Sequence, residues 1–535
     1  MIPSMRTLRW QVILVLLIIF TSGCVRKGYF TETPVVDPEV YERLKTAPET
    51  VDSVTVKAGK HYKRGWLHRV FWGKHYRHVW TAPVTVPVFE MDTLKGGLEI
   101  EKLGGGFQTT SLTLVANDDF TYALRSLDKD PVAVLPKVWR NTFVANIIRD
   151  QTSAINPYAA FALPPMAAAA GIPHSRPKLV YVRPNDTSFG EYTDTFSDRL
   201  YMIEEKYNDK RTISPMVGED AHDIVGSGKM LNHRFEEDDH FIDQIAFAKA
   251  RLFDVFIHDW DRHEGQWEWA EFVNDGDHTY RPIPKDRDNA FFRFQDGVIP
   301  WIFSRNWAIR KFESFDEEIN DVYALMINSE FIDQRAMAQV TRQQFDSLAV
   351  ELQTALTDEV LEEAVRQYPD SVYKLIGEST LQKLRGRRQD LRKAAGEFYE
   401  ILAEEPLVVG TDEEDIFEVR RLNDEETEVV VRRESDDKVV YRRTFYRSET
   451  KKITLHGLAE DDVFEVSGDV RKGVKVVIVG GRGEDEIKDT SNVRSWGKKT
   501  WVYDTKRGTE LEAGPTTKDK RTDDVRVHAF DREGF

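Results

Sequence analysis

The residues from His258 to Phe291, HDWDRHEGQWEWAEFVNDGDHTYRPIPKDRDNAF, interleave nine acidic side chains with aromatic ones. Carboxylates this dense beside apolar surface repel one another unless a metal, a proton or a cation sits among them. Asp261, Asp286 and Asp288, with the amide of Gln266, are therefore candidates for moving a proton and for holding a hard divalent cation, which prefers oxygen ligands. A salt-bridged polar core is the competing account, because Arg262, Arg281, Lys285 and Arg287 lie among the acids. A third is a hydrolytic metal site made of His258, Asp259, His263 and Asp286. His263-Glu264 continues as Gly265-Gln266-Trp267, however, so the HExxH zinc motif fails.

Other elements have to position these groups. Phe241 to Ile257 carries the broad apolar stripe of a buried helix and delivers the chain to His258. Upstream, GLEIEKL, Gly104-Gly105-Gly106, FQTTSLTLV, a turn at Asn117-Asp118-Asp119 and TYALRSL read as strand, glycine loop, strand, turn, strand. Three glycines followed by Gln108 and Thr109 give a loop whose backbone can approach phosphates, with amides and hydroxyls to donate. An ordinary tight hairpin is the plainer account; Arg125 and Lys129, on and just after the third strand, put cations within reach of the loop. Residues 137–170 read as helical, interrupted at Pro157 and Pro164-Pro165. KLVYVRP (178–184) and RLYMIEEKY (199–207) read as two more strands, the second ending at Glu204-Glu205, where the chain can cross between lobes. Residues 310–404 read as mostly helical, with Thr341 and Thr357 as N-caps.

Beyond Pro406 the pattern turns to short strands, and 406–535 reads as a separate β domain, a sandwich or short solenoid. Gly480 to Ile487 matches one nonapeptide of a calcium-binding β-roll, but a single copy cannot stack and reads better as an acidic turn. The charge runs at 411–415 and 424–428 read as solvated turns.

The order glycine loop, basic third strand, helix, D-x-x-x-x-Q and D-x-D-x-x-F resembles protein-kinase-like folds of the atypical kind. The likeness is to secreted Golgi and spore-coat kinases and, further off, to HipA-like and phosphatidylinositol kinases. Asp261-Arg262-His263 is similar to their catalytic loop, and Gln266 falls where they carry a metal-binding Asn. Lys285-Asp286-Arg287-Asp288-Asn289-Ala290-Phe291 resembles their metal-binding strand. The resemblance covers roughly 96–400 and implies an α+β, two-lobed kinase-like domain followed by the all-β domain. It implies ATP with Mg2+ or Mn2+, Asp261 as the base, and Gln266, Asp288 and Asp286 as metal ligands. Gly104, Gly105, Gly106, Gln108 and Thr109 would cover the phosphates, paired by Arg125 or Lys129. The departures are Arg125 where Lys is expected, Gln for Asn at 266, and no clear helical acid to pair the strand cation, so that Asp150 or Gln151 would have to serve. They leave room for an inactive relative acting as a binding or assembly module.

A net charge of −17 excludes generic nucleic-acid binding. Arg6 and Arg9 precede an apolar run from Val12 to Phe20 that is too short to span a bilayer, then Thr21-Ser22-Gly23-Cys24. This resembles a bacterial lipoprotein signal and implies cleavage before Cys24, its lipidation, and a membrane-tethered protein of the cell envelope acting on an unknown hydroxyl-bearing substrate. Cys24 is the only cysteine, so no disulfide can form within the chain. The expected domains are a signal over 1–23, a membrane-proximal spacer over 24–90, an N-lobe over 91–210, a helical C-lobe over 211–405 and the β domain. The basic, aromatic segment 57–78 is a candidate for contact with anionic headgroups.

Overall fold

The computed structural model describes residues 28–104, 109–217 and 220–534. Cys24 and the apolar run before it lie outside the described residues, as do Gly105, Gly106 and Gln108 of the glycine loop. Among the described residues no helix is long and apolar enough to cross a membrane.

Residues 28–90 depart from the spacer expected of them. Strand β1 (Ser53–Lys57) pairs antiparallel with β2 (Pro83–Pro87). Val54, Val56, Tyr62 and Trp80 are buried in the largest core, beside residues of the 159–169 and 244–257 helices. A five-residue alternation, SVTVK, does what a longer polar stretch conceals: one face is buried and the other solvated.

The N-terminal sheet contains β3 (Leu98–Gly104), β4 (Ser111–Ala116), β5 (Thr121–Ser126), β6 (Lys178–Val182) and β7 (Arg199–Glu205) in the order β3-β4-β5-β7-β6, antiparallel throughout. Helices Phe143–Gln151 and Ala159–Ala169 fill the connection between the third and fourth strands. Pro164 and Pro165 lie inside the second helix rather than breaking it.

The C-terminal half of this α+β region is built on the Gln244–Ile257 helix, capped by Asp243 and ended by His258 in the left-handed conformation (φ 59°). Against it pack the Arg342–Ala355 helix, with Thr341 and Gln344 in a capping box, and the long Glu378–Glu404 helix, while the Asp358–Arg366 helix, capped by Thr357, packs on the Ala159–Ala169 and Glu378–Glu404 helices. A second sheet orders β8 (Asp223–Gly226), β9 (His240–Ile242), β10 (Trp267–Asn274) and β11 (Asp277–Pro284) as β8-β10-β11-β9. Its β10–β11 hairpin separates the two halves of the acidic stretch.

The separate all-β region is a parallel solenoid, not a sandwich. β12 (Leu407–Val409), β16 (Lys452–Ala459), β19 (Lys475–Arg482), β22 (Thr500–Tyr503) and β24 (Thr517–Asp519) stack in parallel as one sheet. β13 (Asp415–Arg421), β17 (Val463–Ser467), β20 (Glu486–Asp489) and β23 (Glu510–Glu512) stack as the other. The antiparallel hairpin β14 (Glu426–Arg433) and β15 (Val439–Tyr446) extends the second sheet past β13, and β18 (Asp469–Val470) pairs with β21 (Asn492–Val493). Apolar residues such as Leu455, Phe464, Ile478 and Val502 fill the space between the sheets.

At the corner between the sheets each coil contributes a buried aspartate: Asp415, Asp462, Asp485 and Asp504. The Asp415 N–H donates to Asp462 Oδ1 (2.9 Å), and the Asp462 N–H to Asp485 Oδ1 (3.1 Å). A Cβ on Gly480 would collide with the carboxylates of Asp485 and Asp504, so glycine there is a packing requirement. Asp415, expected in a solvated turn, and Asp485, expected in an acidic turn, are inside.

Candidate functional site

Asp254, fully buried in the Gln244–Ile257 helix, holds the acidic stretch in place. Its Oδ2 accepts from Arg262 Nε (3.0 Å) and Arg251 Nη1 (3.2 Å), and its Oδ1 from Arg287 Nε (2.9 Å). Burial alone pushes this carboxyl up, but the three guanidinium groups outweigh it and hold it below its usual range. One carboxylate thus ties the loop after the helix, through Arg262, to the segment after β11, through Arg287. Arg262 also reaches the carbonyl oxygens of Lys285 (2.6 Å) and Gln266 (3.2 Å).

On this frame Asp261 receives the side-chain amides of Asn328 (2.8 Å) and Asn289 (3.4 Å), and its N–H donates to Asp259 Oδ1 (3.1 Å). Burial pushes Asp259 up to about 7 despite Arg262. The amide of Asn289 also donates to Asp288 Oδ1 (3.2 Å), so one side chain bridges the expected base and an expected metal ligand.

Two cations from the N-terminal sheet cross to the same segment. Arg125, at the end of β5, pairs with Asp286 and lies 3.4 Å from Glu204. Lys129 Nζ lies 2.5 Å from Asp288 Oδ2. Burial works against both cations, but the carboxylates around them dominate and raise their pKa values. Asp286 is half-buried, and although desolvation pushes its carboxyl up, Arg125 and Lys129 hold it below the usual carboxylate range; desolvation pushes Asp288 above that range. Asp286 is also left-handed (φ 56°), a conformation uncommon outside glycine and frequent at functional sites.

Gly104, Thr109, Arg125, Glu204, Lys285 and Asp286 line a cleft of about 300 Å3 between the sheet and the β10–β11 hairpin. Asp288 lines a smaller recess of about 40 Å3 that also includes Asp286 and Glu204. Most of the expected site is therefore brought together. Gln266 is placed differently: its backbone carbonyl accepts from the Lys285 N–H (2.9 Å), while its side-chain nitrogen lies 3.4 Å from His263 Nε2.

The partner of the strand cation is Glu204 on β7, not Asp150 or Gln151. Asp150 faces the opposite way, onto Arg77 (2.6 Å), Arg64 (3.0 Å) and His68 (3.0 Å). In the sequence Glu204 marks only the end of a strand, where the chain can cross between lobes. Asn328 and Lys311, whose ammonium donates to the Asn328 side chain (2.9 Å), give no signal in the sequence because they sit in turns with no fixed spacing from the acids.

Nor does the hydrolytic metal site form. His258 is buried with Nε2 on the Glu313 carbonyl (3.0 Å), and His258, Asp259, His263 and Asp286 do not come within metal-ligand spacing of one another. Among the described residues, the groups with metal-ligand spacing are instead His233, His240 and Glu271, and Glu237, Asp239 and His240. There Glu271 already accepts from His278 (2.6 Å) and Tyr280 (3.3 Å), and His233 Nδ1 lies 2.8 Å from the Tyr280 hydroxyl. These contacts make a closed hydrogen-bonded set.

No family model matches the chain, and no curated protein matches it. Among solved structures it aligns with the Helicobacter pylori proinflammatory kinase CtkA at 12% identity and TM-score 0.33, covering 56% of this chain and 95% of that one. It aligns with HipA of a Shewanella oneidensis MR-1 toxin–antitoxin complex at 10% identity and TM-score 0.27, covering 55% and 68%. A third alignment is with the MAP kinase LmaMPK10 of Leishmania major, at 12% identity and TM-score 0.20, covering 57% and 84%. These scores are low, and the functional reading rests on the residues of this chain.

Proposed function

We propose that this protein is a kinase-like phosphotransferase, tethered outside the cytoplasm by a lipid on Cys24, that moves a phosphoryl group from ATP to a hydroxyl of a protein, sugar or lipid. The observation that carries the reading is the convergence of Arg125 and Lys129 on Asp286 and Asp288, one amide away from Asp261, beside a glycine-lined cleft. Phosphoryl transfer needs a proton acceptor for the attacking hydroxyl and cations for the triphosphate, with carboxylates to carry divalent metal.

The donor set suits a hard cation. Asp286 and Asp288 are two half-buried carboxylates that would repel without positive charge, which Arg125 and Lys129 supply in this structure. They would hold Mg2+ or Mn2+, and the ion would spread the phosphate charge. Asp261, its two oxygens steadied by Asn328 and Asn289, would accept the hydroxyl proton. Arg125 and Lys129 would turn part of their donor capacity to the phosphates, and Gly104 and Thr109 would cover them.

The test is a thermal-shift titration with ATP or ADP and Mg2+ or Mn2+. Nucleotide should stabilise the protein, Asp288→Ala should lose that gain, and Asp261→Ala should keep it while losing turnover. Absence of any shift with every nucleotide–metal pair would remove the reading. A second reading, an inactive nucleotide-binding or assembly module, is favoured by the substitution of Arg125 for the expected Lys. Binding without phosphate release or transfer would select it.

A further inference from the structure

We propose that helices Trp66–Trp72 and Val298–Phe303 form one face that docks on the surface of an anionic lipid bilayer. The two helices come from segments far apart in the chain and pack together. A Cβ on Gly297 would collide with the Gly73 backbone, and the His75 N–H donates to Asp296 Oδ2 (2.9 Å). Both helices turn large apolar side chains to solvent: Trp66 is 70% exposed, Trp301 52% and the nearby Trp307 73%, with Leu67, Phe71 and Phe303 exposed among them. Contiguous apolar surface of this kind on a protein otherwise rich in charge marks a docking site.

Charge selects the occupant. The chain holds 91 acidic residues, yet none lies between Ser53 and Phe89 or between Gly297 and Phe312. Lys63, Arg69 and Lys74 are exposed around the first helix, and the Arg305 guanidinium lies 4.0 Å over the Trp301 ring. The acids facing this region from other elements are already engaged beneath it: Asp150 with Arg77, Arg64 and His68, Asp128 with His61 (2.9 Å) and Asp296 with Arg293 (3.0 Å). Exposed tryptophans ringed by cations on an acidic protein suit headgroups that are negative above an apolar interior.

The entry of the chain adds a third observation. The Tyr29 ring lies 5.0 Å from that of His61, shortly before the first helix, so the chain enters the fold beside this face. Cys24 is a few residues upstream of Gly28, and extended chain spans at most about 3.5 Å per residue. A lipid on Cys24 would therefore insert next to the aromatic face, and one acyl-type anchor plus a basic patch makes the pair of signals that stable attachment needs.

The test uses protein beginning at residue 25, which retains every described residue and carries neither signal nor lipid. It should co-sediment with vesicles of about 30% phosphatidylglycerol in phosphatidylcholine, and far less with phosphatidylcholine alone or in high salt. A Trp66→Ser, Trp301→Ser, Trp307→Ser triple variant and a Lys63→Glu, Arg69→Glu, Lys74→Glu triple variant should each bind about tenfold more weakly with unchanged circular dichroism. Brominated lipids should quench tryptophan fluorescence in the wild type and the charge variant's residual bound fraction alike. Absence of vesicle binding overturns the proposal, as does self-association in sedimentation velocity that the tryptophan variant abolishes, which would make the face an interface between copies. The assay uses no nucleotide, so its failure and that of the phosphotransferase reading are independent.

Discussion

Two groups of buried aspartates run through this chain, and they are kept from destabilising it by opposite means. Around the candidate site Asp254 keeps its charge, because Arg251, Arg262 and Arg287 surround it and lower its pKa against the pull of burial. In the solenoid Asp415, Asp462, Asp485 and Asp504 have backbone amides and one another. Burial pushes Asp415 up to about 6 and Asp462 up to about 10, and raises Asp485, which shares a hydrogen bond with Asp504. Arginines do in one region what protons do in the other. Where neighbouring loops must be held in register beside a polar cleft, fixed cations give direction. Where coils only have to stack, a neutral acid that accepts the backbone N–H of the preceding coil is sufficient.

The largest effect should come from Asp254→Ala. It leaves three buried guanidinium groups without their shared acceptor, and removing one partner of a buried ion network costs about 3–5 kcal/mol. Urea unfolding followed by circular dichroism reads this loss. A change below about 1 kcal/mol would break the comparison, since Asp254 would then be no more than a bystander.

Opposite pH dependences should come next. The folded pKa of Asp462 is raised, so the native solenoid holds a proton that the unfolded chain has released. Its contribution is fully present below the ordinary carboxylate pKa and is lost as pH rises toward about 10. Asp254, lowered, contributes above the ordinary carboxylate pKa and loses that contribution as pH falls. Between pH 5 and pH 9 the solenoid should therefore lose several kcal/mol, at about 1.4 kcal/mol per pH unit for one retained proton, and Asp462→Asn should flatten that slope because its amide stays neutral. Pulse proteolysis in urea at the two pH values, with the fragments mapped, separates the regions. A solenoid equally stable at both would show its acids compensated by something other than protons.

How far the sequence carried these distinctions depends on whether the signal was local. The amphipathic run of 241–257, the strands flanking the glycine loop and the caps at Thr341 and Thr357 are local patterns, and each element formed. The convergence of Arg125 and Lys129 with the acidic stretch was legible through motif order. Glu204 and Asn328 were not, since what brings them to the site is packing between segments with no spacing relation. The short strands beyond Pro406 fit a sandwich as well as a solenoid. Its coils repeat 23 residues apart at Asp462 and Asp485, but the inserted β14–β15 hairpin stretches the first interval to 47 and hides the period. The folding of 28–90 was concealed by its basic exterior, which is the same feature that now singles out the Trp66–Trp72 face.

Arg125→Lys should have the smallest effect and sharpens the contrast most. Arg125 is part-exposed, and one of its terminal nitrogens, Nη1, serves both Asp286 and Glu204. A lysine ammonium keeps that charge, so folding stability should change by less than about 1 kcal/mol. Nucleotide-dependent stabilisation should persist, because a point charge suffices to meet phosphate. Loss of nucleotide binding with the fold intact would instead mean that the planar guanidinium is the phosphate clamp, a way of holding ATP distinct from the lysine of the kinases whose motifs this chain resembles. A stability loss above about 2 kcal/mol would place Arg125 with the arginines of Asp254 as a structural counter-ion. The cations at the cleft would then be fixed parts of the frame, unable to turn toward a ligand.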